Sequence, residues 1–163
     1  MAIETVRLRA VRLEDARLLW EWSRDPEVLA NAFDPIPPSW EAHQEWLAAR
    51  WQDGRSWLTI LESTDATPIG QCRFDVVPEG LEIDFSISAE CRGRGYGVLL
   101  VTEAMSLAST RWPPETRVIA RVLSANPRSI AVCQRAGFRI TEYGNDHGRA
   151  YVRLDRRLSA GHV

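Results

Sequence analysis

The chain reads as a mixed α/β protein: a sheet of six to seven strands, mostly antiparallel, with helices on both faces. Three observations predict this. Short segments with side chains alternating between apolar and polar recur along the whole length. Segments with helical spacing fall between them, two early and two late, giving the order β-α-α-β-β-β-α-β-α-β-β. The early strands follow one another through short turns, as in an antiparallel meander, whereas the later ones are separated by helices long enough for a crossover.

Taken in order, "TVRLRAV" (5–11) alternates and predicts a strand. "LEDARLLWEWSRDPEVL" has helical spacing, with Leu13, Ala16 and Trp20 on one face and the acids Glu14 and Asp15 in the first turn; Pro26 ends or interrupts it. "NAFDPIPPSW" (31–40), with three prolines, predicts a loop. Ser39 suits the N-cap of a second helix over about 40–52, stopped by Asp53-Gly54. Strands are expected over 56–62, 68–77 and 81–88, and a helix after the glycines that follow. "RVIARVLS" (117–124) is rich in β-branched residues and reads as a strand. Asn126-Pro127 has the N-cap and first-turn proline of a helix, which Gly137 closes. "FRITEY" and "RAYVRLDRRL" form a final pair of strands around "GNDHG".

Composition narrows the class. With 163 residues, 45% hydrophobic and 26% charged, the chain suits one domain over 1–163 with a continuous core. A net charge of −2 argues against a general nucleic-acid binder. Cys72, Cys91 and Cys133 are an odd, widely spaced set without CxxC, which fits reduced thiols in a cytoplasmic protein and no metal site. No apolar run has the roughly 20 residues that span a bilayer, so no membrane partner is expected. Glu4 and the absence of an apolar stretch near the start argue against a secretory signal.

The stretch "ISAECRGRGYGVLLVTEAM" (87–105) carries the chemistry. Arg92-Gly93-Arg94-Gly95-Tyr96-Gly97 stands between a strand and a helix start, and it matches neither G-x-G-x-x-G nor the Walker pattern. Bare backbone lets N–H groups close around an anion, a helix start adds unpaired donors, and arginines add charge. A pyrophosphate is the natural occupant.

At this point the chain resembles the GNAT superfamily of acyl-CoA-dependent N-acetyltransferases. The signature [QR]-x-x-G-x-[GA] is matched by Arg92, Gly95 and Gly97, and a second by Asn126, Ser129 and the closing Gly137-Phe138. The resemblance implies a GNAT fold with the fourth and fifth strands splayed, and acetyl-CoA as cosubstrate without a metal. It implies that Phe85, Ser86 and Ile87 offer backbone groups to the pantetheine arm, one N–H polarising the thioester carbonyl. The amides of Gly93, Arg94, Gly95, Tyr96, Gly97 and Val98 would hold the pyrophosphate, with Asn126 approaching the pantetheine or phosphate side as well as capping its helix.

The implied chemistry is direct attack of a neutral amine on acetyl-CoA. Glu82 and Asp84 are candidates to take the proton, against the reading that both are solvent-facing carboxylates; Asp75 is a weaker candidate. In relatives a tyrosine seven residues after the motif Asn often protonates the thiolate, and here that position is Cys133. A thiol could donate, but packing is the plainer role for it, leaving solvent or Tyr143 to serve, or the thiolate to depart unprotonated.

Six of the seven tryptophans lie between positions 20 and 57, in the region that forms the acceptor roof in this superfamily. That region resembles the branches that acetylate nucleotide-linked amino sugars or ribosomal proteins. Aromatic faces suit sugar rings, and Asp34 and Glu41 could attract an ammonium, although most of these tryptophans are expected to pack. His43 is either a proton carrier or a helix-surface residue, with the surface favoured; His147 falls in a turn and His162 in the tail. The expected partner is a small-molecule amine, an amino sugar for example, and a homodimer stays open. Two other functions compete: acetylation of protein N-termini or ribosomal proteins, and acyl-CoA sensing without turnover.

Overall fold

The computed structural model describes residues 5–160; Glu4 and His162 lie outside them. Seven strands form one sheet: β1 (Val6–Ala10), β2 (Ser56–Ser63), β3 (Pro68–Val77), β4 (Gly80–Ile87), β5 (Arg117–Leu123), β6 (Arg139–Asp146) and β7 (Arg149–Arg157). Their spatial order is β1-β2-β3-β4-β5-β7-β6. Every neighbouring pair is antiparallel except β4 and β5.

Five helices cover the sheet: α1 (Ala16–Ser23), α2 (Pro26–Ala30), α3 (Trp40–Asp53), α4 (Tyr96–Arg111) and α5 (Pro127–Arg135). Alternation along β2 separates the two faces. Leu61 joins the larger core with Phe74, Leu81, Leu100, Val118 and Leu154, beneath α4 and α5. Ile60, one residue earlier, joins Val11, Leu19 and Leu47 beneath α1 and α3.

Local signals explain most boundaries. Ser39 Oγ accepts from the Ala42 amide, and Gly54 closes α3 at φ 63°. Asn126 Oδ1 accepts from the Ser129 amide to start α5, and Gly137 follows it at φ 89°.

The expectations need correction at three places. The first helix is shorter than its pattern, because Leu13–Asp15 form a 3-10 turn and Leu13 stays 75% exposed while Leu19 packs. Pro26 interrupts the helical pattern as expected, in the first turn of α2, whose N-cap is Asp25. The "GNDHG" turn is only His147 and Gly148, both at positive φ, so Gly144, Asn145 and Asp146 continue β6. His43 is not on a surface. It is 5% exposed, between the rings of Trp40 and Trp46, and burial lowers its pKa.

Candidate active site

β4 and β5 stay paired only at Leu81–Val118 and Glu82–Ile119. Beyond those two rungs the strands continue to Ile87 and Leu123 but separate. Each strand stays paired on its other side, β4 to β3 over Gly80–Ile87 and β5 to β7 over its whole length. A cleft of about 470 Å³ fills the gap, with Ile83–Ile87 on one wall and Ala120–Val122 on the other.

The glycine loop stands at the mouth of this cleft. Gly93 and Gly95 have φ of 75° and 83°, a backbone that side-chain-bearing residues adopt only with strain. A Cβ at either would point into space with no heavy atom within 4 Å, so the loop's backbone is open to a ligand. Gly97 differs: a Cβ there would lie 3.1 Å from Val132 Cγ2, which makes it a contact point between α4 and α5. Gly95 is the N-cap of α4, so the helix's first amides and its partial positive charge face the loop. This fits a diphosphate.

Of the other expected cofactor residues, Phe85, Ser86, Ile87, Tyr96, Val98, Asn126 and Ser129 line the cleft. Asn126 Nδ2 also donates to Ser129 Oγ at 3.0 Å. Arg92 lines it as well, but its guanidinium is held by Asp25 at 2.9 Å and Glu27 at 3.0 Å. Burial pushes the Asp25 carboxyl up, but the hydrogen bonds from Arg92 and from the Val28 amide bring it below its ordinary value. Arg94 is exposed and does not line the cleft.

The catalytic candidates separate clearly. Asp84 lines the cleft with its side chain 54% exposed, and Gln71 Nε2 donates to it at 3.0 Å. Glu82 lies outside the lining, 3.4 Å from Arg121 Nε. Asp75 is held by Arg73 at 2.7 Å. Cys133 is fully buried in the core away from the cleft, and burial pushes its thiol up to about 12. Tyr143 is 75% exposed on β6 and does not reach the cleft either. Asp34 and Glu41 are likewise outside it. Sequence reading missed Gln71, which orients Asp84, and Arg121, which lines the cleft and stacks on Phe33 at 5.0 Å and Tyr151 at 5.7 Å. Neither sits in a motif. Only strand register brings them there.

Among the described residues no cluster of His, Cys, Asp or Glu is arranged to hold a metal, and no helix is long and apolar enough to cross a membrane. A parallel strand pair that parts after two rungs, with an open glycine loop and a helix N-terminus at its mouth, makes a cleft able to take an extended ligand that ends in an anion. The sequence profile of the acetyltransferase (GNAT) domain matches residues 5–139, and the chain belongs to that family. It is therefore an N-acetyltransferase with acetyl-CoA as donor. No curated protein sequence matches it. Among solved structures, spermidine N-acetyltransferase from Vibrio cholerae in complex with CoA and spermine superimposes with a TM-score of 0.83. Its identity is 17%, over 94% of this chain and 95% of that one. Aminoglycoside acetyltransferase AAC(6')-Ib in complex with coenzyme A and kanamycin gives 0.80 at 21% identity, over 94% and 95%. Such likenesses carry the fold.

Proposed function

We propose that the protein moves the acetyl group of acetyl-CoA onto the primary amine of a small molecule, an amino sugar for example, by direct attack. The observation that carries this is Asp84. Of the acids weighed as proton acceptors, it alone lines the cleft, on the strand edge that opens beside β5. An ammonium substrate is attracted by this carboxylate, and Asp84 takes the amine's proton directly or through water. The Gln71 amide holds the carboxylate in place. A backbone N–H among residues 85–87 polarises the thioester carbonyl. Phosphate oxygens rest on the amides of 93–98, and Asn126 and Ser129 border the pantetheine side. The departing thiolate takes its proton from solvent, since Cys133 is enclosed in the core. That spermidine and aminoglycoside acetyltransferases share the fold supports an amine acceptor of small size.

The test measures free-thiol release from acetyl-CoA with spermidine, kanamycin, glucosamine and a short peptide with a free N-terminus. Release with a small amine is expected. Release with the peptide alone makes it a protein acetyltransferase. Binding of acetyl-CoA in thermal shift with no release for any of the four makes it a sensor.

A further inference from the structure

We infer that Arg92 is a positioning residue: it fixes α2 across the cleft mouth and does not hold the donor's phosphates. This rests on the cleft being the acetyl-CoA site.

α2 is five residues long and has no buried side chain. It nevertheless walls the cleft, with Glu27 and Val28 lining it and Asn31 and Ala32 continuing the wall. Apolar packing does not hold such a segment, so its place depends on polar contacts, and arginines from three elements supply them. At its N-terminal end Arg92, in the glycine loop, reaches Asp25 at 2.9 Å and Glu27 at 3.0 Å. Arg128 of α5 meets the other oxygen of Glu27 at 3.2 Å. At its C-terminal end Arg149 of β7 donates to the carbonyl of Ala30 at 3.1 Å and, just beyond, to that of Ala32. Asp25 is at once the N-cap of α2 and the partner of Arg92, so one carboxylate ties the helix start to the loop.

The Arg92 side chain is only 19% exposed, and both of its terminal nitrogens are engaged by carboxylates. Turning it to a phosphate would leave Asp25 and Glu27 facing the same anion. The loop's amides at 93–98 carry the anion instead, and Arg92 transmits the loop's position to the wall beside the acceptor.

The test compares Arg92→Gln, Arg92→Lys and the double variant Asp25→Asn/Glu27→Gln in the full chain. Hydrogen exchange at residues 27–32 is expected to quicken about tenfold in Arg92→Gln and in the double variant, and less in Arg92→Lys. The Kd for CoA itself is expected to stay within about threefold. With the fastest acceptor among spermidine, kanamycin and glucosamine, KM for that amine rises about tenfold while kcat changes less. Unchanged exchange at 27–32 in Arg92→Gln, or a Kd for CoA weakened tenfold or more, overturns the assignment. If the wild type fails to bind CoA, the donor reading falls instead, and the exchange result still decides whether Arg92 holds α2.

Discussion

At the scale of single residues, the two signatures yield different returns. The glycines are legible because only a backbone requirement explains three of them in five positions, and Gly93 and Gly95 do adopt positive φ. Gly95→Glu places a carboxylate in open space, with no heavy atom within 4 Å of its Cβ, so the expected stability cost is only the roughly 1 kcal/mol of a strained φ. CoA affinity, measured by calorimetry, should fall more than 100-fold. Cys133 was not legible in the same way. Its position in a motif suggested chemistry, whereas burial decides its role, and burial is a tertiary property. A thiol pushed up to about 12 is a poor proton donor near neutral pH. Cys133→Ala is therefore expected to keep turnover within tenfold and to lower stability by about 1 kcal/mol in urea unfolding. A much larger loss of turnover with stability retained would return the thiol to the mechanism.

At the scale of elements, caps made several helix boundaries legible. Ser39, Gly54, Asn126 and Gly137 mark boundaries through single hydrogen bonds or a left-handed residue, and each stands where its pattern placed it. α2 has an Asp cap and a first-turn proline too, but its five residues are too few to show a hydrophobic period. His43 was misplaced because a polar residue in a helix reads as solvent-facing until the stacked tryptophans on either side are seen. The α4–α5 contact gives a test at this scale. Gly97→Leu drives atoms into Val132, which a Cβ alone would approach to 3.1 Å, so about 1–3 kcal/mol of destabilisation is expected. Val132→Ala should recover part of it, and a double-mutant cycle in chemical denaturation measures the coupling. Strict additivity would show that the two helices do not meet there.

For the whole molecule, the antiparallel early meander and the helices on both faces followed from the alternation of strands and helices, but the place of β7 between β5 and β6 and the electrostatic frame did not. Arg9 bonds Asp15 at 2.7 Å and Glu62 at 2.8 Å, tying β1, β2 and the turn before α1 together. Sequence offers no hint of a pairing across 53 residues. Burial pushes both carboxyls up, yet the hydrogen bonds and charge of Arg9, joined at Glu62 by Arg7 and at Asp15 by the Arg12 amide, hold them below their ordinary values. Groups depressed in the folded state contribute stability that is complete above the unfolded carboxylate pKa of about 4 and is lost as pH falls below it. Urea midpoints measured from pH 7 down to 3 should hold steady to about pH 4.5 and then drop. In Arg9→Met, which should lose about 2 kcal/mol at pH 7, that acid-linked drop should be much shallower.

The two-rung contact between β4 and β5 has a consequence outside catalysis. An interior strand edge without a neighbour is a docking place for any extended polypeptide, including the same segment of another molecule. Under the proposed function the amide-bearing arm of the donor covers that edge, and bound CoA is expected to delay such association. Light scattering during slow heating checks this: turbidity should begin at a higher temperature with millimolar CoA than with the same concentration of free pyrophosphate.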